Sequence, residues 1–413
     1  MPISKKPIIT LFGIVFLDLL GFGLIIPLLP YYAIRFNASP VEITLLASIY
    51  SFFQFLAAPL LGAFSDKYGR KPVLIFSQFG SALGFIILAL STVIVWSNPT
   101  HGLIALFISR IIDGISAGNI AVAQTYASDI TGREGKSKAM GLLGAAFGLG
   151  FAFGPGIGGI LGHINPAYPG FLAAFLCLSA AFSVHFFLPE SNTNLQKVTH
   201  YKFPLTLERL KLLFQDQATG SICLIWFFAM FGYVMLEPII PLLLHDYFGY
   251  GAREAGLFFL AVGIVIIFVQ GGLVGRLSKK FGDKGLAFTG GILASLGTAG
   301  YAYVAFNGPF NLESSKHLAL TFLIFLGSFA LVNAVGRSLQ TPTLLALLSH
   351  SSKGRSEGAV YGVYQGGASL ARVMGPALAG ILYERSVGLM FLTATFFVSL
   401  AALITYLKKE TFL

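Results

Sequence analysis

The chain has 413 residues, 55% of them hydrophobic and only 11% charged, with a mean hydropathy of +0.79 and a formal net charge of +10. Ordinary soluble domains carry about 25% charged residues, so the two or three soluble domains that such a length would otherwise suggest are excluded. The positive charges are scattered over short segments with no basic, aromatic-interleaved stripe, which argues against a nucleic-acid partner. Cys177 and Cys223 both lie in apolar blocks, which argues against a disulfide framework or a metal cluster.

The N-terminus, MPISKKPIITLFG, begins like a signal peptide, but its apolar run continues past Asp18 to Tyr32 without a small-residue cleavage site and reads as a retained first span. Including it at 8–32, apolar blocks of membrane-crossing length are predicted at 43–64, 72–95, 102–126, 139–161, 170–188, 219–244, 255–277, 285–306, 317–347, 357–383 and 388–407. All are expected to be helices, because an open backbone cannot stay unpaired in lipid. The polar stretch 189–218 separates 1–188 from 219–413, two expected six-helix bundles, and an amphipathic surface helix is expected within it near Leu205–Phe214. With both termini inside, the inner segments hold 20 Lys and Arg and the outer segments 4, the bias of cytoplasmic loops. This predicts a multi-pass protein with cytoplasmic ends.

The halves repeat. Pro27 and Pro30 answer Pro238 and Pro241 at an offset of 211; GAFSDKYGRK from Gly62 answers GRLSKKFGDK from Gly275 at 213. Gly141, Gly154, Pro155 and Gly159 answer Gly362, Gly375, Pro376 and Gly380 at 221. Three matches in order indicate a duplicated six-helix unit, an architecture of secondary transporters.

Two motifs carry more than topology. GAFSDKYGRK (residues 62–71) contains Gly62, Asp66, Gly69, Arg70 and Lys71, and Gly141, Gly150, Gly154, Pro155, Gly158 and Gly159 fit G-x8-G-x3-G-P-x2-G-G. The first resembles the loop signature of the major facilitator superfamily and the second its antiporter signature. LDLLGFGLIIPLLP, RIIDGISAGNIAVAQTYASDIT and LPES resemble the tetracycline–proton antiporters and their multidrug relatives over nearly the whole N-terminal half. The resemblance implies an all-α fold of twelve membrane helices in two pseudo-symmetric bundles, working as a monomer. It also implies that Gly62 lets the second and eleventh spans approach closely and that Asp66 latches near the start of the eleventh. The antiporter glycines give a smooth helix face that can rock against a neighbour.

Charges inside spans are costly and mark functional sites by default; here they are Asp18, Arg110, Asp113, Glu237, Arg337 and Arg372. Asp18 stands mid-span in the first helix, where the resemblance places a proton-coupling acid. Arg110 and Asp113, three apart, share a helix face; either they neutralise each other, or Arg110 serves Asp18. Asp113 departs from the pattern of the tetracycline exporters, which have a small residue there. Glu237, before Pro238, is a candidate second proton carrier, a cation holder, or a partner of Arg337 or Arg372. Candidates for contact with substrate are Phe22, Gln54, Asn119, Tyr233, Gln270, Asn333, Arg337, Tyr361, Gln365 and Arg372; Gln54 matches the tetracycline exporters, and interhelical hydrogen bonding is the competing use of the other amides.

No nucleotide-binding loop, hydrolase elbow or metal-ligand spacing is present. The resemblance implies proton-coupled export of an amphipathic small molecule, a drug such as a tetracycline, and no cofactor, metal or enzymatic step is expected. The alternatives are an exporter of a dedicated metabolite or siderophore, and a receptor or scaffold of the same fold without flux.

Overall fold

In a computed structural model, residues 5–192, 216–308, 316–351 and 357–408 are described. The expected surface helix near Leu205–Phe214 lies outside them. The described residues are helical with short connections: α1 (Lys5–Ile25), α2 (Leu29–Ile34), α3 (Pro40–Tyr68), α4 (Arg70–Val93), α5 (Pro99–Ser116), α6 (Asn119–Ile164) and α7 (Tyr168–Phe187). There follow α8 (Gln217–Phe248), α9 (Ala252–Phe268), α10 (Val274–Asn307), α11 (Lys316–Ser351), α12 (Glu357–Arg385) and α13 (Val387–Leu407). A 3-10 turn at Ile26–Leu28 joins α1 to α2, and a π turn at Val269–Leu273 joins α9 to α10.

Ten segments of the described residues are long and apolar enough to cross a membrane. One of them, Ala252–Asn307, is 56 residues long and holds two passes, because the backbone leaves the helical region at Gly282 (φ 73°, ψ 154°). Glu357–Arg385 adds the twelfth pass; its 29 residues carry Glu357, Gln365, Arg372, Glu384 and Arg385. The protein is thus an integral, multi-pass, all-α membrane protein. The seventh span, Gln217–Phe248, is 78% buried over its most apolar window, whereas the most apolar window of Ala252–Asn307 is 17% buried.

The chain divides into two compact units. The first comprises Met1–Ala38, Ile49–Lys202 and Ala252–Leu260, and the second Ser39–Ser48, Phe203–Gly251 and Ala261–Leu413. In the first, α1 lies along α6 and α7, and α4 along α5 and α7. In the second, α10 lies along α11 and α13, and α8 along α12 and α13. The duplication is visible in the packing. A Cβ on Gly154 would press on Gly23 of α1 at 2.6 Å, and one on Gly375 would press on Val234 of α8 at 2.5 Å. Gly23 and Val234 are themselves 211 apart, the offset of the proline pairs. The copies differ at those prolines: Pro27 sits in the 3-10 turn that ends α1, whereas Pro238 and Pro241 are carried inside the continuous α8.

The close seam between α1 and α6 explains three of the six antiporter-motif positions. Gly150, Gly154 and Gly158 recur every four residues on one face of α6 and meet Leu19, Gly23 and Leu24 of α1. Gly159 faces Ala252 and Gly256 of α9 instead, and Gly141 has open space where a Cβ would be. Gly154→Leu is expected to separate the two helices and abolish a monodisperse detergent-solubilised protein, while Gly141→Ala leaves the elution profile unchanged. Size-exclusion chromatography checks both, and an unaltered profile for Gly154→Leu would contradict the seam.

Candidate functional site

The sequence places Asp18 mid-span, and the structure surrounds it with neutral polar groups. Asp18 is half-buried on α1, and the side-chain amides of Gln78 (α4) and Asn119 (α6) hydrogen-bond to its carboxyl group. Arg110 does not pair with Asp18. Its Nη1 donates to Asp113 Oδ2 at 3.2 Å, its Nε to Ser109 Oγ at 3.4 Å, and its guanidinium lies 5.5 Å from the Phe85 ring. Both partners are about 2% exposed. Of the two readings left open by their spacing, mutual neutralisation is the one that the geometry adopts. Ser81 of α4 also hydrogen-bonds to Asp113. Asp18 therefore has no cation within ion-pair distance among the described residues.

Around this cluster several buried polar atoms have no partner among the described residues: Tyr32 Oη, Gln78 Oε1, Asn119 Oδ1 and Arg110 Nη2. Buried polar groups are otherwise nearly always paired, so the first unit holds a polar, under-satisfied interior beside Asp18. Gln78, Ser81 and Tyr32 were not among the sequence candidates. Gln78 and Ser81, three apart on one helix face, carried the available signal.

The fourth span is interrupted at Ala117–Gly118, between α5 and α6. Gln54 of α3 donates through Nε2 to the freed Ala117 carbonyl at 3.2 Å. Its amide thus holds the break rather than standing free for a ligand. Asn333 is likewise committed: its Nδ2 donates to Ala294 O at 3.1 Å and Thr298 Oγ1 at 3.0 Å. The competing use of these amides, interhelical bonding, is what the geometry shows. Phe22 packs on Tyr50 and Phe151, with centroids 5.0 and 5.7 Å away.

In the second unit Glu237 is half-buried and makes no ion pair among the described residues, so of the alternatives for it the pairing with Arg337 or Arg372 is not formed. Arg337 lies instead over the ring of Tyr233, 4.5 Å from its centroid, and Tyr233 Oη donates to Gln340 Oε1 at 2.6 Å. Arg372, Gln365 and Gln270 are exposed, and Tyr361 is half-buried.

The loop motif forms a network of its own. Gly69 has φ 102° and ψ 155°, a conformation that non-glycine residues rarely adopt, and ends α3 so that α4 can start at Arg70. Arg70 Nη1 lies 2.5 Å from Asp66 Oδ1, and its Nε lies 3.3 Å from Asp129 Oδ2. The first backbone N–H groups of α4, those of Arg70 and Lys71, donate to Glu190 Oε1 and Oε2 at 2.8 and 3.0 Å. A carboxylate at a helix N-terminus satisfies orphan donors and faces the positive end of the dipole. Glu190 comes from the LPES segment and was not singled out as a site. The second copy repeats the turn, with Gly282 at φ 73°, and reverses the bond: Ser65 accepts from Arg70 Nη1, whereas Ser278 Oγ donates to Asp283 Oδ1. Among the described residues nothing lies within 4 Å of where a Cβ on Gly62 would stand, and Asp66 pairs with Arg70. Residues 352–356, before α12, lie outside those described.

Glu190→Gln is expected to weaken the α4 N-terminus by about 1 kcal/mol and Gly69→Ala by more. In the latter the Cβ would also press on the Glu190 carboxyl group. Thermal unfolding in detergent checks this; a Gly69→Ala variant as stable as the parent would contradict the strained turn.

The sequence profile of the Major Facilitator Superfamily matches residues 11–335. The chain is 30% identical over 378 residues to tetracycline resistance protein, class B, of Escherichia coli, covering 90% of this chain and 87% of that one. It is 31% identical over 415 residues to multidrug resistance protein 2 of Bacillus subtilis (strain 168), covering 98% and 96%. Among solved structures, the human organic anion transporter MFSD10 aligns with a TM-score of 0.69 at 22% identity, over 98% of this chain and all of that one. The nucleoside transporter NupG aligns at 0.74 and 13% identity, over 98% of this chain and all of that one. At such identities these two structures speak to the fold alone.

Proposed function

This chain belongs to the Major Facilitator Superfamily of transporters, and we propose that within it the chain is a proton-coupled antiporter exporting amphipathic small organic molecules by alternating access. Its bundles are 1–188 and 219–413, joined by 189–218. The protein works as a monomer in a bacterial inner membrane with both termini cytoplasmic, as the 20 to 4 bias of Lys and Arg favours. The observation that carries the coupling is the setting of Asp18. It is a half-buried carboxylate faced by the neutral amides of Gln78 and Asn119, while the nearby Arg110 is committed to Asp113. With no fixed cation beside it, a proton is the counter-charge available to Asp18. A group that takes a proton from one side and yields it to the other as access alternates couples flux to the gradient.

The helix that bears Asp18 packs on the glycine face of α6 at Leu19, Gly23 and Leu24, so proton occupancy and helix packing meet within two turns. The tetracycline and multidrug resistance relatives favour drug-like cargo over a dedicated metabolite. A membrane-embedded hydrolase or a fluxless scaffold has no observation in its favour.

The test uses everted vesicles that contain the protein, with an imposed pH gradient and a panel of tetracyclines, dyes and siderophores. The expected result is uphill uptake of at least one compound that collapses when a protonophore is added. Uptake that is indifferent to the protonophore would overturn proton coupling. No uptake of any compound by a folded protein would overturn export of this cargo class.

A further inference from the structure

We propose that Arg337 on α11 is an anion receptor, and that the cargo is an organic anion, with a carboxylate or similar acidic group on an aromatic or apolar body. This rests on the export reading and names its substrate class. Arg337 is half-buried in a 36-residue apolar helix, 14 residues from the nearer end. That is about 21 Å along the axis from that end. No carboxylate among the described residues lies within ion-pair distance, and none of the guanidinium N–H groups has an acceptor there. Its neighbour is the face of Tyr233, at 4.5 Å.

The tyrosine is itself fixed. Its hydroxyl donates to Gln340 at 2.6 Å, and both residues are almost fully buried. The guanidinium is thereby held over the ring by a cation–π contact, which stabilises the charge without consuming its hydrogen-bond donors. An arginine kept in place with its fork unused is suited to bidentate capture of a carboxylate. A second observation points to a ligand on the same helix face. Trp226, seven residues before Tyr233 and so two turns away on α8, is 7% exposed, yet its Nε1–H has no partner. Its ring stacks on Tyr364 with centroids 5.0 Å apart. One buried donor and an aromatic wall two turns from a cation suit an anion with an extended aromatic body. Glu237, one turn beyond Tyr233, is the acidic group nearest along α8 and does not neutralise Arg337 in this structure.

Binding of three matched probes to the purified protein in lipid nanodiscs tests this: 1-naphthoate, the neutral 1-naphthamide and the cationic 1-naphthylmethylammonium. The wild type is expected to prefer naphthoate to the amide by about tenfold or more, the worth of one charge-assisted contact. Arg337→Gln is expected to remove that preference while amide binding stays within about twofold. Arg337→Lys, which keeps the charge and loses the planar fork, is expected to lie between. Equal binding of the three probes by the wild type overturns the inference, whatever the variants do. So does a preference undiminished in a folded Arg337→Gln or, should that variant not fold, in Arg337→Lys. Gradient-driven uptake of a cationic dye and of naphthoate by everted vesicles separates the two readings. Dye transport without anion preference removes only the anion receptor, and anion preference without gradient-driven flux of either compound removes only the export reading.

Discussion

Asp18→Asn is expected to insert, fold and bind cargo, and to lose all uphill export. The substitution keeps the shape of the side chain and leaves the amides of Gln78 and Asn119 a polar partner, so the first unit has no reason to rearrange. What it removes is the only group in the apolar stretch of α1 able to carry a proton through the span. One pH unit is worth about 1.4 kcal/mol per proton, so a two-unit gradient sustains up to about a hundredfold accumulation for each coupled proton. In vesicles that contain the Asp18→Asn variant, accumulation is expected to fall to the equilibrium ratio of one, whereas exchange of labelled for unlabelled cargo continues. Measured in parallel, the two assays separate loss of coupling from loss of the transporter. Full uphill export by this variant would transfer the coupling role to another carboxylate, with Asp113 and Glu237 the candidates.

The second large effect concerns the Arg110–Asp113 pair. Both side chains are about 2% exposed, so removal of one leaves the other as an uncompensated buried charge. Breaking such a pair costs about 3–5 kcal/mol. Arg110→Ala and Asp113→Asn are each expected to lower stability by that order, and the double variant by clearly less than the sum. Unfolding in a denaturing detergent series, run on all four proteins, provides the cycle. Strictly additive losses would mean that Arg110 is stabilised by something other than Asp113. Glu190→Gln and Gly69→Ala serve as controls far along the chain, because they touch the loop network and leave this pair intact.

The reach of the sequence differed from one residue to the next for physical reasons. Asp66, Gly69 and Arg70 stood out in the sequence as one short motif, and their contacts are local: an ion pair four residues apart across the turn between α3 and α4, and a turn conformation that glycine favours. The twelve spans were legible from length and hydropathy alone, since the bilayer sets both. Glu190 was hidden because it reaches Arg70 and Lys71 across about 120 positions of chain, and only its place in the LPES segment hinted at it. Amides in spans were ambiguous because a neutral polar side chain serves a helix neighbour or a ligand equally well. Only the rotation of each helix decides, and it spent Gln54 on Ala117 and Asn333 on Thr298. A closer reading of the repeat could have helped with Asn333, since Gly84 packs on Asp113 of α5 as Gly297 packs on Asn333 of α11. The duplicate of a charged position thus carries an amide. Glu237 and Arg337 were read as a possible pair from their charges, yet Tyr233 takes the arginine because an aromatic face also accepts a cation.

The interruption of the fourth span at Ala117–Gly118 has a mechanical consequence. Asn119, which touches the Asp18 carboxyl group, is the first residue beyond it, and Asp129, which holds Arg70 at 3.3 Å, lies ten residues further along the same helix. Ten residues of α-helix make a lever arm of about 15 Å. A tilt of about 10° at the interruption swings its far end by roughly 2.6 Å, enough to carry an ion pair past contact distance. A displacement beside Asp18 too small to disturb the hydrogen bonds there would thus be geared up into the breaking of a contact in the loop between the second and third spans.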